Sequence, residues 1–480
     1  MQTTLCEYNC RLISVSDQLA SSNQCRVYAE ISLSGGGHTK FLADYAPIIT
    51  IQRSRDEGYT DRTSSAENFQ RIHSASLKFQ EPLLTRLQQF SSALLTEIGR
   101  TLPRRLWSTQ EEQLGSPREA APLPPFSWHP RNEVLAAVDA ADRVQIYDVS
   151  EGSAGDAPPQ PDLVLYHEFQ RQVGAVAWRP PHGCTIAVGC LRGVCLWTIG
   201  GGPAGFQGVH SEQPSGTGSG SAWMTFLKGE GTGPVDALSW SPCGRLLASS
   251  SSITGGIDVW HAALGTGTHI RTMLPGISLL RWSPCGAYLI SGGPCEQFLI
   301  WETQTWRSSP WRCEGSGMLV EAAWQPDGRA VALAFERSSQ VMMLHLTSPQ
   351  PSLSAQILPV DLPELRACSD PEGVRVRCMA WDPKGGRLAV GLAGSHPAAG
   401  QIALFATASR SIVSARFIGY ARPRCLEPRP GANSSDAAAA AEGDGVGLAF
   451  KDGFKSGSLL AVRRGKAQIS ILPMYFTAAA

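Results

Sequence analysis

Six tryptophans in this chain are each followed two residues later by proline: Trp128-His129-Pro130, Trp178-Arg179-Pro180, Trp240-Ser241-Pro242, Trp282-Ser283-Pro284, Trp324-Gln325-Pro326 and Trp381-Asp382-Pro383. Four copies run on to glycine, at Gly244, Gly286, Gly328 and Gly385. Short apolar runs precede the copies, as in Val235-Asp236-Ala237-Leu238-Ser239-Trp240, and others follow, such as Tyr288 to Ile290 and Val331 to Phe335. The pattern reads as strand, Pro/Gly turn, strand. A third apolar run closes most copies on an aromatic: Val144 to Tyr147, Val194 to Trp197, Ile257 to Trp260, Phe298 to Trp301 and Ile402 to Phe405. Those aromatics lie 19, 19, 20, 19 and 24 residues after their tryptophans, and the remaining copy ends in Val341 to Leu346. Successive copies are 50, 62, 42, 42 and 57 residues apart, so the unit is constant and its connections vary.

A seventh unit near the end has Phe450 in place of tryptophan, a turn at Lys451-Asp452-Gly453, and strands over Leu459 to Val462 and Gln468 to Leu472. A fourth strand is weaker in pattern; Asp162 to Tyr166, Trp223 to Phe226 and Ala355 to Leu362 are the candidates. The seven units between Phe126 and Phe476 average about 50 residues, longer than the ~40–45 of a compact four-stranded blade because loops are inserted. A sheet this small cannot bury both faces alone, whereas radial stacking covers each face with a neighbour. The expected fold is all-β, a seven-bladed β-propeller over residues 121–476. A partly helical N-terminal extension (1–120) precedes it and a short tail (477–480) follows.

In the extension, Thr3 to Ser14 and Pro47 to Gln52 read as strands, the former available to close the ring. Leu77 to Leu102 reads as a helix ended by Pro103, with Leu83, Leu84, Leu87, Phe90, Leu94 and Ile98 on one face. Leu84, Leu87 and Leu94 are the candidate partner-binding residues, since such a face docks on the propeller wall or on another protein. Gly200 to Ser221 and Gly431 to Gly445 are low-complexity loops.

Composition narrows the function. Forty-one Lys and Arg balance forty-one Asp and Glu, which argues against direct nucleic-acid binding by overall field. No transmembrane run, signal peptide or lipidation signal is recognised. The 13 cysteines are scattered without a Cys-x-x-Cys pair and read as free thiols, with Cys184, Cys190 and Cys195 acting as small hydrophobes in strands. No phosphate loop, nucleophile elbow, zinc pair or convergent acid/base pair stands out, so no catalytic, metal or cofactor residue is assigned. His129 reads as structural, and Arg463-Arg464-Gly465-Lys466 as a solvated basic hairpin tip.

The units resemble WD repeats in their Trp-Ser-Pro-x-Gly turns and Val/Ile-x-Val-Trp strands. They lack the Gly-His dipeptide and mostly lack the buried Asp, with Asp142 a survivor. Packing is therefore expected to hold more of each blade than that polar network does. Within the class, Phe126 to Pro130, Val173 to Pro180, Leu274 to Pro284, Phe298 to Trp306, Leu448 to Phe476 and Thr3 to Ser16 resemble a WD-repeat nucleoporin family. The resemblance implies a non-enzymatic scaffold of the nuclear pore complex at the nuclear envelope, supporting nucleocytoplasmic transport. Its implied partners are other nucleoporins, in particular a membrane-embedded one. The alternatives are a WD-repeat adaptor of another complex, such as a ubiquitin-ligase substrate receptor or RNA-processing scaffold, and a propeller enzyme with a channel site.

Overall fold

The computed structural model describes residues 4–8, 11–15, 31–34, 125–149, 161–199, 222–229, 233–348, 352–360, 362, 375–393, 401–409, 412–421, 423, 446–451, 457–464 and 468–475. The helix expected over Leu77 to Leu102, the strand at Pro47 to Gln52 and the two low-complexity loops lie outside these residues. The described residues form seven sheets, six of them four-stranded meanders, whose first strands neighbour one another in a closed cycle. This is a seven-bladed propeller. Blade 4 is representative, with strands Leu279–Trp282, Tyr288–Gly292, Gln297–Glu302 and Arg307–Arg312 from the inside outward.

Each Trp-x-Pro tryptophan is the last residue of its blade's inner strand. The turn that follows is built by its own residues. Gly244 N–H donates to Ser241 O at 2.8 Å, and the bond recurs as Gly286 to Ser283 at 2.9 Å, Gly328 to Gln325 at 2.8 Å and Gly385 to Asp382 at 2.7 Å. Proline presets the second position of such a turn. The glycine sits at φ between 67° and 78° in these four blades, a left-handed conformation that a Cβ disfavours.

Alternation along the second strand explains how a blade buries both faces. In blade 5, Val331, Leu333 and Phe335 pack towards blade 4, while Ala330, Ala332 and Ala334 pack towards blade 6. At the interface with blade 6 those alanines meet the larger Leu388, Val390 and Leu392. Seven apolar clusters result, one at each interface, and the one joining blades 7 and 1 combines Leu135, Ala137 and Tyr147 with Leu459, Ala461 and Ile471. The fourth strands of blades 3 and 4, Thr266–Arg271 and Arg307–Arg312, are half-exposed and their hydrophobic signal is correspondingly weak, whereas the three candidate segments fall on observed fourth strands, Leu163–Leu165, Ala222–Leu227 and Ala355–Pro359. Two of the free cysteines follow the expected pattern: Cys190 and Cys195 are buried. Cys184 does not; it is exposed, because the strand begins only at Thr185.

The seventh sheet takes its outer strands from the other end of the chain. Ile31–Ser34 runs antiparallel to the first half of Gln468–Tyr475, pairing Ile31 with Ile471 and Ser34 with Gln468. Thr4–Tyr8 runs parallel to its last residues, pairing Leu5 with Met474 and Cys6 with Tyr475. The single strand expected over Thr3 to Ser14 is in fact two, Thr4–Tyr8 and Arg11–Val15, paired antiparallel. Without these segments the last propeller strand would present a row of open N–H and C=O groups. Deleting residues 1–34 should therefore lower the melting temperature and shift the protein to aggregates in size-exclusion chromatography; an equally stable, monodisperse truncation would contradict it.

Candidate interaction surface

The turns after the inner strands meet side by side around the channel. A Cβ on Gly244 would overlap the carbonyl oxygen of Pro180 in the preceding blade and one on Gly183 the ring of His129; Gly328 lies closely against Cys285, and Gly385 is in ordinary contact range of Pro326. Arg179 fastens one step further: its Nε donates to Gly244 O at 2.7 Å and its guanidinium carbon stands 5.6 Å from the centre of the Trp240 ring. Lys451 of blade 7 donates to Pro130 O at 3.0 Å, joining the last turn region to the first. The described turns of blades 1 to 6 thus form a collar at one end of the channel, reached from blade 7 by Lys451.

Behind the collar, tryptophans hydrogen-bond from blade to blade. The indole Nε1 of Trp128 donates to Ala449 O at 3.1 Å, that of Trp240 to Ala177 O at 3.1 Å, that of Trp324 to Arg281 O at 3.1 Å and that of Trp381 to Ala323 O at 3.0 Å. In every case the acceptor is the residue just before the preceding blade's aromatic. Where that residue is serine the bond is absent. Ser127 Oγ accepts the Trp178 backbone N–H at 3.4 Å and the Trp178 indole is left without a partner. Ser239 Oγ accepts the Trp282 backbone N–H at 2.9 Å, and that indole turns to Gly286 O of its own blade at 3.1 Å. Phe450 has no indole to offer; Ser458 of blade 7 instead donates to Asp382 of blade 6.

The seam between blades 7 and 1 is the most polar. Arg463 is 2% exposed and donates to Val138 O at 2.5 Å and Pro125 O at 3.3 Å, so it is no part of a solvated hairpin tip. Its strand continues to Arg464 and stacks on blade 1, and burial pushes the guanidinium down to about 10. His129 closes its own turn, its Nδ1 accepting the N–H of Arg131 at 3.1 Å and Asn132 at 2.8 Å. Its ring lies edge-on to Trp178, with centroids 5.0 Å apart. Burial, then the charges of Lys451 and Arg131, push the imidazole down to about 4.

Fragments of the WD polar network survive in other blades. Trp260 and Trp301 donate to Ser249 and Ser291 on the neighbouring strand, each at 2.9 Å, and Asp258 meets His269 at 2.7 Å. Asp142 accepts the N–H groups of Gln172 at 2.9 Å and Val173 at 3.1 Å, tying the connection into blade 2 to blade 1.

One groove of about 440 Å³ opens on the collar across blades 4, 5 and 6. Its walls are the Trp282/Pro284, Trp324/Pro326 and Trp381/Pro383 turns, with Met379 and Leu448, and its charged pair is Arg281 with Glu321 at 2.9 Å. The expected repeat residues are thus brought into one surface: Trp178, Trp240, Trp282, Trp324 and Trp381 are buried, Trp128 and Phe450 half-buried, and the prolines and glycines form the turns. Leu84, Leu87 and Leu94 lie outside the described residues. The residue before each tryptophan (serine, alanine or, at Arg281, arginine), Lys451 and the burial of Arg463 escaped the sequence reading; of these, only the residue before tryptophan occupies a recurring position. Among the described residues no three His, Cys, Asp or Glu side chains converge as metal ligands would.

Residues 223–261 match the WD domain, G-beta repeat family, a span running from the outer strand of blade 2 through the third strand of blade 3. The chain is a WD-repeat β-propeller protein. It is similar to Aladin of Arabidopsis thaliana, with 31% identity over 475 residues covering 96% of this chain and 93% of that protein. The chain belongs to the aladin family. A chain in a crystal structure of the mitotic checkpoint complex overlays 74% of this one and 90% of itself, at a TM-score of 0.48 and 14% identity.

Two measurements test these interfaces. Trp240→Phe, Trp324→Phe and Trp381→Phe should each cost about 1 kcal/mol more in denaturant unfolding than Trp178→Phe, because only they deprive a carbonyl of its donor. For His129, the folded value near 4 lies below the ordinary 6.5, so the unfolded chain takes up the proton first. Its contribution to stability is unchanged above pH 6.5 and lost progressively as pH falls towards 4, by about 3 kcal/mol. The loss should flatten in His129→Gln when melting temperature is followed against pH.

Proposed function

We propose that this protein is a non-enzymatic scaffold of the nuclear pore complex. In this reading a membrane-embedded nucleoporin holds it at the nuclear envelope, it joins other nucleoporins, and it supports nucleocytoplasmic transport. The observation that carries the reading is its near full-length similarity to Aladin. What favours a scaffold over a channel-site enzyme is the character of the groove. Its lining is tryptophan, proline and aliphatic, and its Arg281 and Glu321 neutralise each other instead of offering an acid/base pair. A rigid ring with a turn collar suits recognition of other proteins.

Recruitment through a partner makes envelope targeting saturable. Depleting the membrane nucleoporin should release a fluorescent fusion of this protein from the nuclear rim, and overexpression should exceed the rim's capacity. Rim signal that persists after depletion would overturn the anchoring, and proximity labelling that finds no nucleoporins would overturn the pore assignment. Replacing Leu84, Leu87 and Leu94 by Glu tests the N-terminal segment separately from the propeller.

A further inference from the structure

We infer that the collar face is a docking surface for an acidic, extended peptide segment of a partner protein, with an apolar side chain seated in the groove across blades 4 to 6. The inference stands on the collar's chemistry and is independent of the pore assignment.

Charge is the first observation. The chain is neutral overall, yet the collar end is not: Arg131, Arg245, Arg329 and Lys384 are exposed in the turns after the inner strands and Arg179 half-exposed, against exposed Asp327, half-exposed Glu133 and buried Asp382 among the described residues. The turns between third and fourth strands at the same end add exposed Arg307 and Asp148, half-exposed Asp162 and buried Glu302, which leaves an excess of exposed cations. The turns at the other end of the blades pair their signs, with Asp139 bound to Arg143 at 2.6 Å and Glu296 to Arg312 at 2.7 Å. An excess of one sign on a face favours the opposite sign and sets orientation on docking.

The groove is the second observation. Arg245 of blade 3, Arg329 of blade 5 and Lys384 of blade 6 belong to turns that flank or form it, while exposed Pro284 and half-buried Leu448 offer apolar surface. Aromatic and proline walls receive extended apolar segments well, because a rigid floor costs little entropy on binding. The volume, about 440 Å³, suits a few side chains rather than a folded domain. The cations are spaced one per blade and interrupted by Asp327, Glu133 and Glu321 instead of forming a continuous stripe for phosphates. Exposed Leu264 and Ile412 stand at the collar's end in turns of blades 3 and 6, outside the groove lining and three blades apart, instead of forming the contiguous apolar face a lipid surface would take. An acidic peptide is therefore favoured over nucleic acid or membrane.

The test pans a random dodecapeptide phage library on the purified full-length chain, with Arg245→Glu/Arg329→Glu/Lys384→Glu panned in parallel. The three residues are exposed, and an unchanged melting temperature verifies that the variant folds. Expected are enriched peptides rich in Asp and Glu with at least one Trp, Phe, Leu or Pro. Their affinity should fall by at least about tenfold in the triple variant and weaken with added salt. Glu321→Gln should tighten the same peptides, because it removes a negative charge and frees Arg281. Bound peptide should slow alkylation of exposed Cys285 in the collar. Enrichment without acidic bias, affinity unaffected by the triple variant, or no enrichment at all would overturn the inference. So would phosphatidylserine vesicles or a single-stranded oligonucleotide binding in the triple variant's place of sensitivity while peptides do not.

Discussion

Everything in this ring rests on how one blade's first turn meets the next. The close approach of Gly244 to Pro180 O, with Arg179 bridging to Gly244 O, fixes the spacing of adjacent blades at the channel end. Side chains behind it then meet across apolar clusters whose large and small faces alternate. Because every blade touches two others, an error at one interface would propagate around the circle. Closure therefore requires that the seventh blade meet the first with the same spacing as any other pair.

That last interface is also the most unusual. Leu459, Ala461 and Ile471 supply its apolar part, but Lys451 and Arg463 are buried cations reaching backbone carbonyls of blade 1. Buried charge is costly unless its hydrogen bonds are made, so these contacts favour a single register of closure over slipped ones. The outer edge of the same blade is covered by strands from the N-terminal region, which pair with both halves of Gln468–Tyr475. Closure is thus fastened twice, by side chains on the inside and by backbone on the outside.

A framework held this way has little freedom at the collar, and that is what makes the face useful for recognition. Two of the three tryptophans that line the groove, Trp324 and Trp381, also donate to neighbouring blades, so those walls are held by interface bonds and cannot adjust independently. Binding there would draw on a preformed surface, with variation among partners met by the exposed residues between proline and glycine. Those positions, Cys243, Cys285, Asp327 and Lys384, vary among cysteine, aspartate and lysine while the turn around them stays the same.

Much of this was legible in the sequence alone, because the turn is a local object. Proline at its second position and glycine at its left-handed position act through their own dihedrals, so Trp-x-Pro-x-Gly announces a hairpin wherever it occurs; four full copies, two that lack the glycine and the degenerate unit at Phe450 together imply a ring. Buried second and third strands were equally readable, being apolar on both faces. Of the fourth strands, Leu163–Leu165, Ala222–Leu227 and Ala355–Pro359 were legible as candidates, while Thr266–Arg271 and Arg307–Arg312 were not, since their half-exposed residues carry no sustained period. Tertiary structure decided the rest. That Ser127 and Ser239 interrupt the indole bonds depends on which atoms a neighbouring blade presents. That Arg463 is buried, when Arg-Arg-Gly-Lys reads as a solvated tip, depends on blade 1 arriving from more than three hundred residues away. The collar's charge is likewise invisible in a neutral composition, because only the ring places one turn of each blade on the same face.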